Sequence, residues 1–136
     1  MADDTVLFAC IHNAGRSQMA AALFNALADP AKARALSAGT KPGLAVHPEV
    51  AAVMREVGID LSAATPRLLT GHLAAGVNLL ITMGCGEECP YVPGVERRDW
   101  ALADPKGRPV DEVRAIRDDI RTRVKLLIDE RGWALP

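Results

Sequence analysis

The chain has 136 residues, enough for one domain with a genuine core and too few for two. Apolar residues make up 49% and aromatics only 4%, so that core must rest on Ala, Val, Leu and Ile. A formal net charge of -1 excludes a global basic field for nucleic acid or anionic lipid, so any bound anion must be held by a local site.

In chain order, residues 5–9 form a short continuous apolar run, the pattern of a strand buried on both faces of a parallel sheet. The run stops at Cys10, a polar glycine-containing stretch follows, and residues 18–28 are rich in helix formers until Pro30. Residues 33–38 supply a second strand ending at Gly39. Residues 48–57 read as a helix with Pro48 in its first turn and Gly58 past its end. Thr70 caps a short helix through Ala75, residues 77–82 form the next buried strand, and residues 95–97 suggest a brief one. Val113, Ile116, Ile120, Val124, Leu127 and Ile128 recur at helical spacing, with Asp111 as the expected cap and Gly132 as the stop. Alternating strands and helices imply an open α/β architecture, a mostly parallel sheet covered on both faces. Ligands of such sheets bind beyond the carboxyl ends of the strands. Cys10 and Cys85 both fall just past strand ends.

No apolar run approaches the roughly 20 residues needed to span a bilayer, and the acidic start is unlike a secretory signal. Three cysteines, an odd number, argue against a closed disulfide framework. The expectation is a cytoplasmic, monomeric single domain over residues 1–136, with no membrane or nucleic-acid partner and with thiols that pair only transiently.

Cys10, Ile11, His12, Asn13, Ala14, Gly15, Arg16 and Ser17 place a cysteine, five residues and an arginine between a strand and a helix. The backbone N–H groups of such a loop form a nest for a tetrahedral oxyanion, reinforced by the partial positive charge of the helix N-terminus. Arg16 offers a planar fork for two oxygens. Gly15 suits a sharp turn, Asn13 can hold the loop by bonding to backbone, and Ser17 can donate to the sulfur. The same field favours the thiolate form of Cys10.

Cys85 and Cys89 lie four positions apart on a glycine-bounded loop before Pro90, a spacing that permits a local disulfide if the loop bends. Half of a zinc site and inert buried thiols are the other readings; His12, His47 and His72 lack paired ligand spacing, and no metal is expected. Asp104 precedes Pro105 on a loop. Alone it would be a turn residue, but beside an oxyanion-binding thiolate it is a candidate general acid. Trp100 and Trp133 read as packing residues.

With these elements assembled, the chain resembles the arsenate reductases built on the low-molecular-weight tyrosine phosphatase fold. The likeness is carried by CIHNAGRSQMA from Cys10, Ser37-Ala-Gly39, residues 58–62, Thr82 through Pro90, and Asp99-Trp100 through Asp104-Pro105. It implies a three-layer sandwich around a central four-stranded parallel sheet. It also implies a thiol cascade. Cys10 attacks arsenate held by the loop and Arg16, and Asp104 protonates the departing oxygen. Cys85 and then Cys89 carry the oxidation, and an external thiol reductant, thioredoxin or mycothiol with mycoredoxin, restores the thiols. Phosphate or sulfate would mimic arsenate, and no bound cofactor is implied. Two features depart from the family pattern, and a third position separates the chain from the phosphatases. The Cys85–Cys89 loop is shorter than in well-known thioredoxin-coupled members. Ala21 stands where potassium-binding members have a glutamate, although Asn13 and Ser37 match. Lys106 stands where similar phosphatases carry tyrosine. The alternatives are a low-molecular-weight protein tyrosine phosphatase, and a non-catalytic thiol redox sensor or oxyanion-binding regulator.

Overall fold

A computed structural model of the chain describes residues 4–84 and 92–136. In chain order the elements are β1 (Asp4–Cys10), α1 (Arg16–Leu27), β2 (Ala33–Gly39), α2 (Pro48–Arg55), α3 (Gly71–Ala75), β3 (Leu79–Thr82), β4 (Glu96–Asp99) and α4 (Val110–Arg131). The four strands form one sheet in the order β2-β1-β3-β4, and every neighbouring pair is parallel.

The central position of β1 explains its composition. Val6, Phe8 and Cys10 face the larger core with α1, α2 and α4, while Leu7 and Ala9 face a smaller one under α3. A strand buried on both sides has no place for polar alternation. The larger core is anchored by its few aromatics, with Phe8 between Phe24 (6.2 Å) and Trp100 (5.6 Å), and Phe24 also meeting Trp133 (5.7 Å). Such offset pairs add about 0.5–1.5 kcal/mol each beyond area burial. Trp100 has a positional consequence too: its backbone N–H donates to the Thr82 carbonyl at 2.8 Å, which fixes where the loop after β4 begins.

The predicted elements all form, with two instructive differences. The strand near residues 95–97 runs instead over β4, whose charged sequence suits a sheet edge. Its Arg98 reaches Glu130 and its Glu96 pairs with Arg131, tying that edge to the end of α4. The second difference is the start of α4. Asp111 does not cap it: Pro109, with extended ψ of 151°, is the cap residue, and its carbonyl already accepts from Glu112 and Val113. Asp111 therefore falls in the first turn, where its negative charge complements the helix dipole and binds Arg114 at 2.7 Å.

Helices α2 and α4 are joined by Glu56, which accepts from Arg114 (2.7 Å) and Arg117 (2.9 Å). Hydrogen bonds from Arg114 and then Arg117 lower its carboxyl to about 2 from an ordinary 4.5. A carboxyl depressed in the folded state stabilises the fold above its unfolded value and loses that contribution as pH falls toward its folded value. Glu56→Gln should therefore be less stable than wild type near neutrality. The gap should narrow as pH drops from about 4.5 toward about 2. Urea unfolding at several pH values checks this, and a gap independent of pH would contradict it.

Candidate active site

Parallel pairing brings the ends of β1 and β2 together at Cys10 and Gly39, and the loop from Ile11 to Gly15 rises from that edge before α1 begins. The carbonyls of this loop are turned outward and bonded. Cys10 accepts from Thr40 N (3.2 Å), Ile11 from Lys41 N (2.8 Å), His12 from Gly43 N (2.9 Å), Ala14 from His47 N (2.9 Å) and Gly15 from Met19 N (3.0 Å). The Asn13 carbonyl accepts from Gln18 Nε2 at 3.1 Å. No acceptor among the described residues takes the N–H groups of residues 11–15. Consecutive amides of this kind form an anion nest. Helix α1 adds to it, since it starts with no side-chain cap and no acidic residue in its first turn. By contrast, α2 and α4 carry Glu49, Asp111 and Glu112 in theirs. The one-turn α3 has a Thr70 side-chain cap, so among the described helices α1 alone begins with neither a side-chain cap nor an acidic residue.

Cys10 is 2% exposed, so the loop and not bulk water surrounds its sulfur. Its Sγ lies 2.8 Å from Ser17 Oγ. A second chain of bonds reaches the same hydroxyl. Arg67 N, which can only donate, meets Asn13 Oδ1 at 3.0 Å, so the amide nitrogen of Asn13 faces Ser17 and donates to its Oγ at 2.7 Å. Ser17, accepting from Asn13, keeps its own proton available to the sulfur.

The left-handed residue of the loop is Asn13 (φ 50°), wholly buried and held by these side-chain bonds. Gly15 is needed for a different reason than a simple turn. A Cβ there would sit 2.7 Å from Pro105 Cγ, so glycine is what lets the loop after β4 close over the start of α1. Gly39 is equally constrained, with an added Cβ about 2.5 Å from the Ile11 carbonyl and 2.9 Å from Asn13 N.

Arg16 is 7% exposed and donates from Nη1 to the Leu102 carbonyl at 3.2 Å. The same guanidinium lies against Gly84, where any side chain would collide with it. Asp104 sits between Leu102, which holds Arg16, and Pro105, which packs on Gly15, so its loop borders the anion loop at both points. The carboxylate is exposed and accepts from Lys106 N at 3.0 Å through Oδ1. His12 is braced by a 3.1 Å bond between Nδ1 and the Lys41 carbonyl, and Ile11 packs its partly buried side chain against the smaller core. Cys85 and Cys89, the proposed redox pair, lie outside the described residues.

Sequence reasoning missed four contributors. Gln18 is buried and bonds Asn13 twice and the Thr65 carbonyl once. Arg67, Pro105 and His47 reach the loop from distant positions. Gln18, a polar residue following the arginine and serine on the same turn, could have been found; the others carry no local signal.

A four-stranded parallel sheet with a strand-to-helix thiol loop defines the phosphatase-like class of α/β proteins. The chain belongs to the low molecular weight phosphotyrosine protein phosphatase family, whose pattern matches residues 5–89. A Halobacterium salinarum relative is 43% identical over 129 residues, covering 90% of this chain and 89% of its own length. An arsenate reductase of Staphylococcus aureus is 34% identical over 130 residues, covering 92% and 96%. Among solved structures, the thioredoxin-dependent arsenate reductase of Corynebacterium glutamicum superposes with a TM-score of 0.81 at 37% identity. That match takes in 93% of this chain and 61% of the other, so the chain spans less than two thirds of that protein.

Proposed function

We propose that this protein reduces arsenate to arsenite. The Cys10 thiolate attacks arsenic, and one oxygen departs as water with a proton supplied by Asp104, leaving a Cys10–arsenic(V) bond. Cys85 then attacks the Cys10 sulfur. The electron pair of the sulfur–arsenic bond passes to arsenic, which leaves as arsenite, and a Cys10–Cys85 disulfide forms. Attack by Cys89 on Cys85 moves the disulfide to that pair and frees Cys10. An external dithiol such as thioredoxin supplies the two electrons that reset the enzyme, each exchange requiring a reachable, partly ionised thiol.

The observation that carries this reading is the Cys10 sulfur, oriented by Ser17 at 2.8 Å under an outward-bonded loop, in a chain that also holds Cys85 and Cys89. The loop, with Ile11, His12, Asn13, Ala14, Gly15, Arg16 and Ser17, fits any tetrahedral oxyanion, phosphate and sulfate included. The further thiols are what arsenate reduction needs and phosphate ester hydrolysis does not. The named relatives support the same reading, and the C. glutamicum protein favours thioredoxin over mycothiol as reductant. Family membership supports a second reading, a phosphatase using Cys10, Arg16 and Asp104 alone. One assay separates them: arsenate-dependent NADPH oxidation with thioredoxin and thioredoxin reductase, beside p-nitrophenyl phosphate hydrolysis. Robust arsenate turnover with slow hydrolysis is expected. Brisk hydrolysis with no arsenate turnover, under thioredoxin and mycothiol systems alike, would leave the phosphatase.

A further inference from the structure

Behind the anion loop, between α1, β2 and the stretch leading to Arg67, lies a cavity of about 290 Å³ lined by Gln18, Ala21, Ser37, Thr65 and Arg67. This is where the family resemblance would place a potassium ion. A hard cation there needs several free oxygen donors. Ala21 contributes only a methyl group. Asn13 Oδ1 already accepts from Arg67 N (3.0 Å) and Gln18 Nε2 (3.2 Å). The Ser37 carbonyl accepts from Arg67 Nε at 3.0 Å, and the Thr65 carbonyl from Gln18 Nε2 at 3.3 Å. The oxygens a cation would use face N–H donors, and a permanent positive charge already stands among them. The residues present do not fit potassium.

We propose that Arg67 is a positioning residue for Cys10, its guanidinium serving as a built-in cation that makes the thiol site independent of alkali metal ions. Although solvent reaches it, Arg67 is fixed at both ends. Its side chain holds the Ser37 carbonyl, and its own carbonyl accepts from Gly39 N at 2.9 Å. With the residue so held, its N–H meets Asn13 Oδ1. From there the bonds run to Ser17 Oγ (2.7 Å) and on to the Cys10 sulfur (2.8 Å). The guanidinium therefore acts on the nucleophile through Asn13 and Ser17 without touching the oxyanion. The inference rests on Cys10 being the nucleophile, not on which oxyanion it attacks.

The test is the rate of Cys10 alkylation by iodoacetamide, resolved by peptide mass spectrometry, in KCl against choline chloride at equal ionic strength. Thermal midpoints and arsenate kinetics are taken in parallel. Wild type should alkylate equally fast in both salts. Arg67→Gln should slow alkylation about two- to tenfold, the range for one lost hydrogen-bond partner, and lower kcat more than it raises KM. Arg67→Lys, which keeps the charge, should retain more of the rate. An Ala21→Glu/Arg67→Gln double variant should acquire a rate and a thermal midpoint that rise with potassium. Wild type accelerated severalfold by potassium would overturn the proposal, as would a folded Arg67→Gln that alkylates at the wild-type rate. Failure of arsenate turnover with the alkylation results intact would remove the proposed substrate and leave this inference standing.

Discussion

Replacing Cys10 by serine is expected to abolish arsenate turnover, a loss of at least about 10³-fold, while the fold survives. The two side chains are nearly isosteric, and the serine hydroxyl can still accept the Ser17 proton in a site that is 2% exposed. Two things are lost chemically. An alcohol in this position stays protonated near neutrality and is a poor nucleophile toward arsenic. A serine oxygen also cannot become half of a disulfide, so the second step has no route even if the first occurs slowly. Steady-state assays together with a thermal melt check the prediction. A folded Cys10→Ser protein with substantial arsenate turnover would show that chemistry begins elsewhere.

Arg16→Lys should be nearly as damaging to the chemical step, lowering kcat by about 10²–10³-fold, the range for a lost oxyanion donor. The substitution keeps the charge and removes the plane. Arg16 is held by the Leu102 carbonyl through Nη1 and packs where any Gly84 side chain would stand, a fit that depends on the fork. A lysine ammonium is a compact, strongly hydrated charge that cannot bond two oxygens in parallel, and it loses the anchor that points it. Phosphate affinity should fall less than kcat, because the loop amides and α1 still hold a resting anion. Equal kcat for Arg16→Lys and wild type, from initial rates at saturating arsenate, would assign the arginine to charge alone.

Much of the fold was legible because its strongest signals are local. The β1 run is apolar throughout since it lies in mid-sheet, and α4 advertises its buried face through spacing. The oxyanion loop was legible for the same reason, with its chemistry packed into contiguous positions from Cys10 to Ser17. What escaped depends on chain crossings. Pro105 explains Gly15, Arg67 orients Asn13, and the packing of Asn13 and Ile11 explains Gly39, each pair far apart in sequence. Asp111 misled because a good cap residue was weighed without Pro109, whose backbone already starts the helix. Ala21, Asn13 and Ser37 carry the sequence signal that bears on potassium, whereas the Arg67 side chain that bonds the Ser37 carbonyl comes from the loop before α3 and has no local signal.

In the proposed cascade oxidation enters at Cys10 and ends on Cys85 and Cys89. This is tested most directly by mixing fully reduced protein with one equivalent of arsenate, anaerobically and without reductant. Arsenite would then be quantified and disulfides mapped by mass spectrometry. The expected products are one arsenite per chain, a Cys85–Cys89 disulfide and free Cys10. Unchanged arsenate with all three thiols reduced would contradict it.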